Sequence, residues 1–262
     1  MLPLGRADIV PCPKDAPPRL VVIVDTEEEF DWAAPFSTAN RSVKTVAEQS
    51  RAQRIFEKFG VVPTYAVDYP VASQADGFLP LREMMQSGQC EIGAHLHPWV
   101  TPPVEEEVCE RNSFACNLPE DLERKKLEQL TAIINENFGH RPKLYRAGRY
   151  GAGANTTAIL EALGYEIDCS VVPGQSVGKW GPDYRGGIAS PYWLQGTKRI
   201  LEIPVTVATV GAVGRFGDDA YNVLASPLGC RLKVPAVMAR LGIMDRIRLT
   251  PEGTTLAEAR HL

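Results

Sequence analysis

The chain has 262 residues, 44% of them apolar and 23% charged, which suits a soluble globular protein able to bury a core without disulfides. A formal charge of −4 and a pI near 5.7 leave no basic stripe to neutralise phosphates, so no nucleic-acid partner is expected. No window shows a signal-peptide pattern or the roughly 18 apolar residues of a membrane span, so the expected compartment is the cytoplasm. The six cysteines form no CxxC pair and are expected there as reduced thiols.

In chain order, residues 1–18 form a Pro-rich lead and 19–262 a single expected domain. RLVVIVDTE (19–27) is a continuous apolar run of strand length, the pattern of a strand buried on both faces. Residues 42–60 carry apolar side chains at helical spacing and stop at Gly60. VVPTYAVDYP (61–70) reads as the second strand, FLPLREMMQSG (78–88) as a helix and QCEIGAHLHP (89–98) as the third strand. A polar loop leads to a strong helix over 119–139, with Pro119 at its first turn and Gly139 past its end. Its basic run ERKKL reads as a solvated face. PKLYRAG (142–148) is the fourth strand, NTTAILEALG (155–164) a helix and YEIDCSVV (165–172) the fifth strand. The stretch 172–199, rich in Gly, Pro, Trp and Tyr, reads as a long functional loop, and RILEIPVTVATV (199–210) as the sixth strand. Residues 211–235 read as Gly/Pro-punctuated loop and 250–262 as a helix, with no strand expected after 210.

Strands alternating with helices predict βαβ units around a parallel sheet, with the chemistry at the C-terminal strand ends. No GxGxxG follows the first strand, which argues against dinucleotide binding. At the expected rim stand Asp25 and Glu27, His95 and His97, Arg146 with Arg149 and Tyr150, and Asp168 with Ser170. Residues i and i+2 of a strand share a face, so each acidic or histidine pair can converge. Each piece alone also reads as a solvated acidic loop, a packed histidine pair or a basic turn. Together they form a more specific set: two imidazoles and a carboxylate suit a divalent metal with open positions for water. A second carboxylate can then act as general base, fixed by an arginine.

The ordered segments VDTEEEFDW, EIGAHLHPW, YRAGRYG, LGYEIDCSV and LEIPVT, spread over residues 19–210, resemble the polysaccharide deacetylases. These are the NodB-homology carbohydrate esterases, and the resemblance is nearest to the WalW-type branch. It implies an α/β fold, a distorted (β/α) barrel that hydrolyses N- or O-acetyl groups from a sugar or glycan precursor with one divalent metal ion, commonly zinc. It further implies Asp25 as catalytic base, Glu27, His95 and His97 as metal ligands, and Arg146 as the residue that orients the base. Arg149 and Tyr150 fall where the family lines its substrate groove. Trp99, Trp180, Tyr184, Tyr192 and Trp193 are expected either to stack on pyranose faces there or to anchor loops.

Three departures accompany the resemblance. Asp-Thr-Glu replaces the adjacent Asp-Asp pair, so base and ligand roles could be exchanged. The histidines are spaced i, i+2 rather than i, i+4, and Gly148 stands where the family has Pro. Two alternative readings accompany the deacetylase one: an amidohydrolase of a small ureide-type amide, and a catalytically inactive carbohydrate-binding barrel. The family also places a late histidine as proton donor to the leaving group, whereas after residue 97 this chain has only His140 and His261. His140 precedes the fourth strand and so belongs to the opposite rim; His261 falls in the terminal helix. The sequence therefore reads as a truncated version of a longer protein, lacking the last barrel strand and the catalytic acid.

Overall fold

The computed structural model describes residues 9–260, apart from 14, 18, 195–199, 215–216 and 252–253. Seven short strands build the main sheet: β1 (Ile23–Thr26), β2 (Thr64–Val67), β3 (Glu91–Leu96), β4 (Leu144–Ala147), β5 (Ile167–Asp168), β6 (Tyr192–Trp193) and β7 (Leu201–Glu202). Their order is β1-β2-β3-β4-β5-β7-β6, parallel throughout except that β6 runs antiparallel to β7. The expected parallel α/β sheet is therefore present. The expected barrel is not closed among the described residues, because β1 and β6 end the ladder without pairing to each other.

Helices connect the parallel strands, as the alternating pattern predicts: α1 (Gln49–Lys58, after a 3-10 turn at Lys44–Glu48), α2 (Tyr69–Ser73), α3 (Ala75–Gln86), α4 (Glu120–Phe138) and α5 (Thr156–Leu163). Gly139 and Gly164 end α4 and α5 at φ 82° and 84°, the left-handed cap that only glycine enters without a steric penalty. Every residue of β4, and all but the first of β2 and β3, is buried. Tyr65, Val67, Ile92, Ala94 and Leu96 from these strands pack with Leu127, Leu130 and Ile134 of α4 in one core. No described helix is long and apolar enough to cross a membrane.

The C-terminal third departs from the expectations. The run 199–210 does not form one strand; β7 ends at Glu202, and β8 (Val207–Val210) leaves the main sheet. Pro204 lies between them and has no N–H for a ladder bond. β8 pairs antiparallel with β9 (Asp245–Arg248), a strand where none was expected. Its sequence, DRIR, holds one apolar residue and carries no recognisable strand pattern; pairing with β8 makes it a strand. The stretch expected as loop, 211–235, holds α6 (Gly217–Leu224), α7 (Pro227–Arg231) and the start of α8 (Val234–Arg240), while the expected terminal helix is one turn, α9 (Leu256–Ala259). His261 lies outside the described residues.

The ERKKL run is not simply a solvated face. Arg124 and Lys125 reach solvent, but Glu123 and Lys126 are buried at 1% and 0% exposure. The Lys126 ammonium donates to the carbonyls of Pro98, Thr101 and Pro103 at 2.7–2.9 Å and pairs with buried Glu106 at 2.9 Å. One side chain of α4 thus holds the loop that leaves β3 beside His97. Replacing Lys126 by Met should destabilise the protein by about 3–5 kcal/mol in urea unfolding, because Glu106 is left buried without its partner. The double variant Lys126→Met/Glu106→Leu should recover part of that loss.

Candidate metal centre

Parallel strands β1 to β5 bring their C-terminal ends to one rim, and there the side chains expected from the sequence meet. Glu27, one residue past β1, places Oε2 3.2 Å from His95 Nε2 and 3.2 Å from His97 Nε2. The imidazole rings of His95 and His97 lie 4.7 Å apart, as expected for side chains sharing a strand face. Asp25 does not join this trio; its Oδ1 faces Arg146 Nε at 3.2 Å. The Arg146 guanidinium also donates to the Tyr150 hydroxyl at 3.2 Å. The register that sets Arg146 opposite His95 across β3 and β4 places it there.

Hydrogen bonding fixes which nitrogen each histidine presents. His95 Nδ1 lies 3.1 Å from the Arg146 carbonyl oxygen, and His97 Nδ1 lies 2.7 Å from Glu28 Oε2. Both partners can only accept, so each Nδ1 carries a proton and each Nε2 is the nitrogen turned to Glu27. Two imidazole Nε2 atoms and a carboxylate oxygen then face one another, a set that can hold a cation once each Nε2 is unprotonated. His97 Nε2 is buried and makes no hydrogen bond among the described residues. The donor set of Glu27, His95 and His97 suits a divalent ion of the zinc type, with all three ligand atoms within 4.8 Å of one another.

Protonation in the metal-free protein reflects the same convergence. Burial opposes ionisation of Glu27, but hydrogen bonds and charge from His95 and His97 outweigh it and hold the carboxyl far below the usual range. Burial pushes His97 down, yet the Glu28 and Glu27 carboxylates push it up further, well above an ordinary imidazole. A metal arriving at His97 Nε2 therefore displaces a proton.

Glu28 is the residue that sequence reasoning missed. Its carboxylate takes His97 Nδ1 on one oxygen and the Trp99 indole N–H, at 2.8 Å, on the other. Its backbone N–H donates to Asp68 Oδ2 at 2.8 Å, and Asp68 in turn accepts the Val71 N–H and caps α2. Burial and the neighbouring Glu28 push Asp68 well above the usual carboxylate range. Glu28, Asp68 and His97 form a second group of potential ligands, but the hydrogen bonds already made to backbone, Trp99 and His97 engage it as support for the first. Glu28 stands in the run DTEEEFDW among acids that look alike; a buried acid next to an exposed one has no mark in the sequence.

Trp99 is corrected. Expected in a substrate groove, it is 1% exposed and stacks on His97 at 4.2 Å between centroids. Tyr184 and Tyr192 are likewise buried and anchor loops, the former donating its hydroxyl to the Tyr150 carbonyl at 2.8 Å. Asp168 also stands apart. It pairs in register with Tyr145 and Glu202, on the face of the sheet opposite Arg146, where burial raises it to about 6. His140 lies just before β4, on the opposite rim as expected.

Arg149 and Tyr150 follow Gly148, which packs against His97, and the backbone there is unusual. Both have positive φ, 55° and 58°, directly after Gly148. A Cβ on Gly148 would lie 2.4 Å from His97 Cδ2 and from the Leu96 carbonyl, so only glycine fits where the family has Pro. The Arg149 guanidinium lies over Phe114 at 4.0 Å and Phe36 at 5.2 Å, with half-exposed Trp32 at 5.9 Å. Trp32 and Phe36 thus bring an aromatic wall to this rim that sequence reasoning did not single out.

Two outcomes follow from this geometry. Glu28→Gln should weaken zinc binding by about 10–100-fold in chelator competition, with the circular dichroism spectrum unchanged. Zinc affinity should also fall as pH falls, because the raised His97 must lose its proton; calorimetric heats should then vary with the ionisation enthalpy of the buffer.

No family model matches the sequence, and no curated protein matches it. Among solved structures, a chain described as a polysaccharide deacetylase from Mycobacterium smegmatis is similar at 19% identity and a TM-score of 0.43, covering 76% of this chain and 64% of that one. Puue allantoinase is similar at 19% identity and a TM-score of 0.46, covering 71% and 61%. IcaB from Ammonifex degensii is similar at 20% identity and a TM-score of 0.36, covering 45% and 52%. The chain thus spans between about half and two thirds of the length of these solved chains, and likeness at such scores does not carry function across.

Proposed function

We propose that the protein is a metal-dependent hydrolase that removes an acetyl group from a sugar or glycan precursor, with Glu27, His95 and His97 holding one divalent ion, zinc by donor type. The convergence of two imidazole Nε2 atoms on the Glu27 carboxylate carries this reading. When bound, the ion supplies Lewis acidity, polarising an acyl carbonyl and making water more acidic. Asp25 is the general base that takes the proton of the attacking water, and Arg146 keeps its carboxylate aimed. Glu28 and Trp99 keep His97 in the tautomer and orientation that a metal requires. Arg149 and Tyr150 bind substrate at the edge of the centre. The sugar-deacetylase reading is supported by the sequence resemblance over residues 19–210 together with this arrangement of base, arginine and metal ligands.

Elemental analysis of purified protein should find about one equivalent of zinc, lost in His95→Ala. A stoichiometry near zero, unchanged by that substitution, overturns the metal reading. Acetate release from N-acetylhexosamine oligomers, set against turnover of small ureides, separates the sugar substrate from the amidohydrolase alternative; sugar binding without acetate release at any zinc loading indicates an inactive binding protein. Arg146→Lys should lower kcat more than it raises KM. A change in KM alone makes Arg146 a substrate ligand instead.

A further inference from the structure

Arg246 and Arg248 sit two apart on β9 and so share a face, which turns toward the loop after β5 and toward Tyr150. With Asp245, Ile247, Thr250, Thr254 and Tyr150 they line a cleft of about 350 Å³. The two arginines play different parts. Arg246 is buried; it donates to the Gly174 carbonyl at 2.7 Å and to Asn222 Oδ1 at 3.2 Å, and lies 4.4 Å over the Tyr221 ring. It ties the hairpin to the loop, and a Cβ on Gly174 would collide with it at 1.8 Å. Arg248 is half-buried and gives Nε and Nη2 to one neutral acceptor, Gln175 Oε1. It meets no carboxylate among the described residues, and Nη1 has no protein partner among them. The one acid among the described lining residues, Asp245, is turned to the Arg246 backbone N–H.

A guanidinium held half-buried by a neutral amide keeps its full charge and its planar donor edge for an outside anion. The cleft also adjoins the candidate catalytic base. The Tyr150 ring lies 5.1 Å from the Arg248 guanidinium and 5.0 Å from that of Arg146, whose Nε faces Asp25. One tyrosine therefore separates the cleft from the base.

We infer that this cleft binds an anionic group, a carboxylate or phosphate, carried by the substrate next to the acyl group, with Arg248 as its principal contact. The substrate class is then an acetylated sugar bearing a negative charge rather than a neutral oligomer. That assignment to the substrate rests on the hydrolase reading above; the affinity of the cleft for an anion does not.

The test has two arms. In the first, the zinc-loaded protein is titrated calorimetrically with N-acetylglucosamine 1-phosphate, glucuronate, inorganic phosphate and neutral N-acetylglucosamine. At least one anion should bind about tenfold or more tightly than the neutral sugar, and Arg248→Gln should remove that preference while Arg248→Lys keeps part of it. Preference for the phosphates or for glucuronate identifies which anion the cleft takes. In the second arm, the ratio of kcat/KM for the anionic over the neutral acetylated sugar should fall about tenfold in Arg248→Gln. Equal binding of anionic and neutral ligands, or a preference that survives in Arg248→Gln, overturns the inference. If neither sugar is deacetylated but anion binding still depends on Arg248, the hydrolase reading fails and the anion cleft stands.

Discussion

The Glu28 carboxylate is 2% exposed, and the candidate centre is organised around it. A buried carboxylate is tolerated only where donors satisfy it, and Glu28 has the His97 Nδ1–H and the Trp99 indole N–H on its two oxygens. Those bonds have a consequence at the far side of the imidazole: with Nδ1 committed, His97 turns Nε2 to Glu27. The Arg146 carbonyl does the same for His95. A protonation state decided by neighbours thus turns two strand histidines from packed aromatics into a donor set. The Lys126 ammonium secures the loop that follows, so the strand end carrying His97 is held on both sides by buried polar groups from other elements.

Beside that hub the chain accepts backbone strain. Arg149 and Tyr150 are consecutive non-glycine residues at positive φ, a conformation that costs about 1–3 kcal/mol per residue and persists only where surroundings enforce it. The enforcement is visible. Gly148 packs against His97 with no room for a Cβ, the Gly151 N–H returns to the Gly148 carbonyl at 3.0 Å, and the Tyr184 hydroxyl holds the Tyr150 carbonyl. The strained turn delivers one guanidinium into the Phe36, Phe114 and Trp32 aromatics and one phenol between the reaches of Arg146 and Arg248. This strained turn, next to His97, ties the main sheet to the C-terminal hairpin.

The β-hairpin of β8 and β9 gives the fold its second, separate sheet. Pro204 interrupts the run that would otherwise continue β7, and the strand beyond it finds its partner some thirty-five residues later along the chain. Between the two strands the chain folds into three short helices. This arrangement brings Arg246 and Arg248 against a loop from the main sheet, so that charge from the end of the chain reaches the edge of the candidate centre.

The sequence by itself determined the parts whose information is local. Apolar runs marked β1 to β5, and Gly139 marked the end of α4, because strands and left-handed caps each select residue types directly; the expected burial on both faces fails at β1, an edge strand in which only Thr26 is buried. The i, i+2 spacing of Asp25 with Glu27 and of His95 with His97 was enough to bring these side chains to one rim, since alternation along a strand is a property of the backbone alone. Tertiary structure decided the rest. Glu28, Asp68 and Lys126 are polar residues whose burial depends on partners up to about seventy positions away, and nothing in their own neighbourhood distinguishes them from solvated ones. Trp99 could have faced a groove or a histidine, and packing against His97 settled it. β9 became a strand because β8 offered an edge. Whether Asp25 or Glu27 meets the histidines also depended on register and on Arg146 from another strand; a short-range pattern can bring side chains to the same rim, but only long-range contacts assign each one its partner.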